Sequence, residues 1–205
     1  KTMLGAITGD SYEVGVYEQA NKICDLCMSM ISAVSNVILP RATYLYQNGK
    51  AGGEAKKLLN MSLRAAMMGA IPITLGIAAI ADNFVLLFFG EGYEKSGTLL
   101  KILCFNVLFV SLSNFCSHQC LIARGKQKEY NIAICVSGLI NVCLDAFLTA
   151  RYASIGVSAV SVVARMIGLV LIIWFGRESV GAAKIVKMSG KYILAAMLMY
   201  VSVFG

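Results

Sequence analysis

Six side chains within one apolar stretch have the types and spacing of a wet, charged pathway through a membrane. Glu18, Lys22, Asp25, Ser29, Ser32 and Asn36 follow an i, i+4, i+7, i+11, i+14, i+18 pattern. On a helix advancing about 100° per residue they all fall within roughly 40° of one line. A helix facing only lipid does not carry two acids and a base on one face; a helix lining a hydrated cavity does, because its ions keep water or partners. The competing reading makes Glu18, Lys22 and Asp25 mutual i, i+4 and i+3 ion pairs near a helix end, with Lys22 reaching to the interface. The continuation to Asn36 favours the cavity.

A second stripe repeats the pattern. Ser154, Ser158, Ser161, Arg165 and Gly168 are spaced i, i+4, i+7, i+11, i+14. Arg165 falls near the middle of its apolar run, where an arginine costs at least about 2.5 kcal/mol to insert and is therefore paired or hydrated. Its planar fork suits a phosphate; the alternative is a structural pair with Asp145, which shares a helical face with Ser137 and Asn141. Asn106, Ser113 and Ser117 form a weaker stripe of the kind that glues membrane helices together.

Other groups carry less. Seven cysteines, an odd number, all sit in apolar sequence, which argues against a disulfide framework. Cys24 and Cys27 have CxxC spacing, and Cys116, His118 and Cys120 can be drawn as a metal cluster. No second ligand pair accompanies either set, so they read as small helix residues and no metal is expected. His118, the only histidine, reads as an interfacial residue rather than a proton relay. No GxSxG, HExxH or phosphate-binding loop is present, so nothing points to an enzyme or to a cofactor.

The elements that hold these residues follow from composition. Of 205 residues, 58% are hydrophobic and 14% charged, with a mean hydropathy of +0.73; this is a membrane composition. The net charge of +7 does not indicate nucleic acid, because the basic residues lie between apolar spans and no nucleic-acid motif occurs. A spanning helix needs about 20 apolar residues. Five complete spans are expected at 15–39, 63–89, 98–122, 130–150 and 154–175, making an all-α, polytopic transmembrane bundle. Residues 1–8 read as the end of an earlier helix and 191–205 as the start of an additional one, so the bundle occupies 1–190 of what reads as part of a longer protein. Short loops make neighbouring helices antiparallel.

The loops 41–64, 123–130 and 176–191 hold twelve basic residues and the alternate loops two. The basic loops are therefore expected on the cytoplasmic side. Pro72, inside the second span, removes the donor for the Met68 carbonyl and is a candidate hinge. Asp82-Asn83, in the outer third of that span, is a candidate helix break or gate.

Several short motifs carry a family resemblance: Met3-Leu4-Gly5 before Val14-Gly15-Val16-Tyr17, then Ala20 and Lys22; Ile38-Leu39-Pro40-Arg41; Phe89-Gly90-Glu91-Gly92-Tyr93 with Ser96; Leu121-Ile122-Ala123 with Gly125-Lys126; and Asn141 ahead of Tyr152-Ala153-Ser154-Ile155-Gly156-Val157-Ser158-Ala159. In order and spacing the chain resembles the C-terminal half of polysaccharide flippases of the Wzx type. These belong to the multidrug/oligosaccharidyl-lipid/polysaccharide exporter superfamily, which also holds the lipid II flippases. The resemblance implies two six-helix bundles facing a central cavity, this chain being most of the second.

It further implies a multi-pass protein of the bacterial cytoplasmic (inner) membrane. Such a protein would translocate an undecaprenyl-diphosphate-linked oligosaccharide by alternating access, for surface polysaccharide such as lipopolysaccharide O-antigen. Lys22 and Arg165 are the candidate cations for the diphosphate. Glu18, Asp25, Ser29, Asn36, Asn141, Asp145 and Ser161 are the candidate polar lining. Membrane lipids, a coupling H+ or Na+ and a polysaccharide polymerase complex are the implied partners. Many relatives have an acid near Arg165, so an acidic coupling site does not carry over at that position. Two other functions stay open: a cation-coupled drug exporter of the same superfamily, and a noncatalytic scaffold of a glycan-assembly complex.

Overall fold

In a bilayer each backbone N–H and C=O must be satisfied within its own segment, so long apolar runs become helices. The structure, a computed structural model, describes residues 5, 10–48, 53–90, 92–177, 190 and 192–199. Its main elements are α1 (Ser11–Gln47), α2 (Gly53–Phe89) and α3 (Glu94–Cys116), the last continuing through a π turn, Ser117–Leu121, and a 3-10 turn, Ile122–Arg124. A run of helical residues, Gln127–Phe175, breaks at Ala153, giving α4 (Gln127–Thr149) and α5 (Arg151–Phe175). Residues 192–199 are also helical. Among the described residues five helices are long and apolar enough to cross a membrane.

The five expected spans correspond to these five helices, with two changes. Most of the expected loop 41–64 is helix: α1 runs through Pro40 to Gln47, and α2 starts at Gly53. At 37 residues each, these helices are about 55 Å long and overrun a hydrocarbon layer of about 30 Å. Asp82-Asn83 does not interrupt α2, which stays helical to Phe89. It also stays helical through Pro72. The expected helix end at 1–8 lies outside the described residues except for Gly5, as do 191 and 200–205 of the expected last helix.

Helix ends are set by local chemistry. Asp10 caps α1, its carboxylate accepting from the Tyr12 N–H at 2.8 Å. Gly125, at φ +75°, turns the chain between α3 and α4 in the left-handed region that glycine enters without steric cost. At the start of α5 the kink falls on Ala153, at φ 47° and ψ −130°, a conformation that strains an alanine. Three residues on, Gly156 passes so close to the end of α4 that an added Cβ would stand 2.6 Å from the Leu148 carbonyl oxygen.

Two apolar clusters hold the helices together. One, built around Leu63, Met67, Phe115, Leu121 and Ile172, joins α2, α3 and α5 toward the end that carries Arg41, Lys57, Arg124 and Lys128, called the basic end below. The other, built around Val16, Cys24, Val85, Leu103 and Val157, joins α1, α2, α3 and α5 toward the opposite end. α4 buries only Ala133 and Thr149 and exposes Leu139, Val142 and Phe147. It meets the end of α3 through Ala133 and α5 where Ser137 faces Gly168, and the polar space left beside it is the site described next.

Candidate functional site

Arg165 comes from the middle of α5, on the face that also carries Ser161 and Gly168. Gly168 lets α4 approach: a Cβ there would meet the Ser137 side chain at 3.3 Å. Above and below that contact the helices part. One cleft, of about 340 Å³, is lined by Tyr17, Asn141, Asp145, Ser161 and Arg165, with Ser137 and Gly138 on its α4 wall. A second, of about 180 Å³, lies toward the basic end and is lined by Ser113, Asn114, Ser117, Tyr130, Ser137 and Arg165. Both include Arg165, so one guanidinium serves both halves of a polar groove between α4 and the rest of the bundle.

Electrostatically this groove is unsatisfied. Arg165 makes no ion pair with Asp145 or any other acid among the described residues. Asp145 lines the same cleft, and its buried Oδ1 has no hydrogen-bond partner. A cation and an acid that share an aqueous cleft without touching leave donors and acceptors for a ligand or for water. Around them the small polar residues are used. Asn106 donates to Ser161 Oγ at 3.1 Å, and Asn114 donates to Ser32 Oγ at 2.8 Å, tying α3 to α5 and to α1. The expected stripe on α3 thus divides: Asn106 bonds another helix, while Ser113 and Ser117 line the groove.

The structure therefore brings four of the residues singled out from sequence, Asn141, Asp145, Ser161 and Arg165, into one cleft. The stripe on α1 lies elsewhere. Lys22 sits about 140° round the helix from Tyr17, the α1 residue in the cleft. Lys22, Asp25, Ser29 and Asn36 are exposed and Glu18 is half-buried. Asp25 accepts from the Asn21 amide at 2.6 Å, and Lys22 makes no ion pair among the described residues. Lys22 and Arg165 thus lie on different surfaces of this chain, because α1 turns its apolar line, Val16, Ala20, Cys24 and Ile31, into the core. Pro72 is half-buried within α2, away from the groove. His118 lies half-buried in the π turn with Nδ1 unpartnered. Among the described residues no group of three metal-ligating side chains forms.

Sequence periodicity did not reveal the polar node at the opposite end. Glu13, in the first turn of α1, accepts from Lys95 Nζ at the start of α3. Its other oxygen accepts from Ser154 Oγ at 2.5 Å and from the Ser154 N–H at 3.3 Å. One carboxylate therefore joins α1, α3 and α5 and caps the first turn of α5, where an anion is favoured. Nearby, Ser96 Oγ donates to the Val16 carbonyl at 3.0 Å, Tyr12 Oη donates to the Gly92 carbonyl at 2.7 Å, and Lys101 pairs with Asp82. The partners of Tyr12 and Glu13 lie 80 or more positions away, beyond what a pattern read along one helix can show.

Comparison with known proteins fits this architecture. A family model described as lipid II flippase MurJ matches residues 8–205. A solved structure titled "Lipid II flippase MurJ, inward closed conformation" superposes with a TM-score of 0.76 at 19% identity. The match covers 93% of this chain and 41% of the solved one, so the chain spans about two fifths of that protein's length. No curated protein matches it. The family match refines the resemblance read from sequence: same superfamily, but the lipid II branch rather than the Wzx branch. The chain belongs to the lipid II flippase MurJ family, whose members are multi-pass inner-membrane transporters rather than catalysts.

Proposed function

Starting from that membership, we propose that the chain is part of a flippase that carries lipid II, the glycolipid named by its family, across the inner membrane by alternating access. The substrate is then a peptidoglycan precursor rather than a surface-polysaccharide carrier. The observation that carries this reading is Arg165: a mid-span arginine, unpaired among the described residues and lining both clefts of a polar groove. A diphosphate crossing an apolar layer needs cations that are not already neutralised, because an unpaired guanidinium can form short bidentate bonds to phosphate oxygens.

Residues 1–190 form most of one bundle in this reading, with 191–205 opening an additional helix. The basic end is cytoplasmic. The exposed stripe of α1, with Lys22 as its cation and Glu18, Asp25, Ser29 and Asn36 beside it, faces the other half of the transporter. Lys22 and Arg165 then act on the substrate from two surfaces. Asn141, Asp145 and Ser161 supply neutral and acidic contacts, and Asp145 is the acid placed to take a coupling cation, H+ or Na+. Pro72 serves as a hinge in α2. Membrane lipids and a polymerase complex that consumes the exported precursor are the remaining partners.

Complementation tests the reading. The full-length protein should support growth when the resident lipid II flippase is depleted. Arg165→Ala at matched membrane abundance should abolish rescue, and Arg165→Lys should retain part of it. Lys22→Ala should lower lipid II exposure on the outer face, with Lys22→Arg milder. Full rescue by both alanine variants overturns the charge argument.

A further inference from the structure

At the basic end two more clefts adjoin one another, and neither belongs to the groove around Arg165. One, of about 490 Å³, is lined by Lys57, Asn60, Met61 and Arg64 of α2 with Gly53. The other, of about 260 Å³, is lined by Arg41 from the end of α1 and by Glu54, Lys57 and Met61 of α2. Lys57 and Met61 belong to both, so the two form one concavity between the overrunning ends of α1 and α2.

Its chemistry is that of an unfilled anion site. Arg41, Lys57 and Arg64 are exposed, and none makes an ion pair among the described residues, although Glu54 lines the second cleft. Three cations against one acid leave a local excess of positive charge. Lys57, Asn60 and Arg64 fall within about 60° on α2, so they address one ligand. Asn60 half-buries its amide there, and its Oδ1 is buried without a partner. An orphaned acceptor among cations matches a ligand that carries a hydroxyl beside its negative charge.

The depth of the site identifies the source of that ligand. Residues 65–81 of α2 hold no charged side chain. At about 1.5 Å per residue that stretch is about 26 Å long, close to the thickness of the hydrocarbon layer. Arg64 therefore ends the apolar layer at the level of the lipid phosphates, with Asp82 marking the other side. Lys57 stands two turns farther out. Between and beside them Met61 and Met68 are each 69% exposed, apolar surface that suits a glycerol backbone and the first acyl carbons. A headgroup ending in an ammonium would bring a fourth cation among three.

We propose that this concavity binds the phosphoglycerol headgroup of an anionic phospholipid of the cytoplasmic leaflet. Lys57 and Arg64 hold the phosphate, Arg41 closes the rim, and Asn60 accepts from a glycerol hydroxyl. The site is separate from the transport groove and does not depend on which glycolipid is carried. It rests only on the basic end facing an anionic leaflet.

The test counts bound lipid on the purified full-length protein by native mass spectrometry. Phosphatidylglycerol, phosphatidylethanolamine, phosphatidic acid and inorganic phosphate are added in separate arms. Phosphatidylglycerol should be retained over the other three. Lys57→Gln with Arg64→Gln should weaken its binding about thirtyfold, from two interfacial cations removed. Lys57→Arg with Arg64→Lys, which guards against misfolding, should bind as the parent does. Asn60→Ala keeps the charges and should erase the preference for phosphatidylglycerol over phosphatidic acid. The proposal is overturned by equal retention of phosphatidylethanolamine, by inorganic phosphate competing as well as the lipid, by undiminished binding in the double glutamine variant, or by an unchanged preference in Asn60→Ala.

Discussion

At the end where α1 begins, Glu13 meets Lys95 and Ser154, Asp82 meets Lys101, and Tyr12 meets the Gly92 carbonyl. In the middle of the bundle and at its basic end, Arg165, Arg41, Lys57 and Arg64 face clefts with no acid in contact among the described residues. The first region uses its polar groups to join one helix to another. The second leaves them without an acid in contact, which in the proposals above makes them open to a ligand. A cation that makes no ion pair within the chain and reaches an open cleft is free to hold a ligand or water. Under the proposed function the contrast separates residues that hold the fold from residues that act, and measuring stability and transport on the same variants tests it.

The largest loss of stability should come from Gly156→Val. Its Cβ would press on the Leu148 carbonyl, a backbone atom that cannot step aside, and the expected cost is about 3 kcal/mol. Thermal unfolding in detergent would read it. Next is Glu13→Ala, which strands Lys95 and uncaps α5 at Ser154. A loss of about 2–3 kcal/mol is expected, and Glu13→Gln, which keeps an acceptor for Ser154, should recover part of it. Ala153→Gly should stabilise by about 1 kcal/mol, because glycine adopts φ 47° without strain.

Asp82→Asn should change stability by less than about 1 kcal/mol, since that pair is largely solvent-exposed. Arg165→Ala should shift the unfolding temperature least of all while removing transport. If Arg165→Ala unfolds the protein as readily as Glu13→Ala does, the distinction between the two regions fails.

The fold was readable because a bilayer admits few solutions: a run of about 20 apolar residues must be a helix, and short loops must reverse it. The same periodicity placed Ser161 and Arg165 on one face of α5, and Asn141 and Asp145 on one face of α4. These faces meet in the groove. Periodicity describes one helix at a time, so it leaves open how the helices face one another. It put Lys22 and Arg165 forward together without knowing that α1 turns Tyr17, not Lys22, toward α5. It gave Glu13 no role, because the partner that gives it meaning, Ser154, is 141 positions away. It read the charges of 41–64 as a loop, although lysine, arginine and glutamate are good helix formers and carry α1 and α2 beyond the lipid.

The π turn at Ser117–Leu121 has a mechanical reading as well. A π turn takes in one residue more than an α turn, so everything after it is rotated relative to what precedes it. After it comes Arg124, whose Nη2 donates to Tyr46 Oη at 3.4 Å and whose guanidinium lies 4.9 Å from the centre of the Tyr46 ring. Excising a single residue from the turn would let ordinary winding resume and swing Arg124 by about 100°, off its aromatic seat. The surplus residue works as a spacer, a twist stored in the helix that lets one end grip α1 while the other presents serines to the groove.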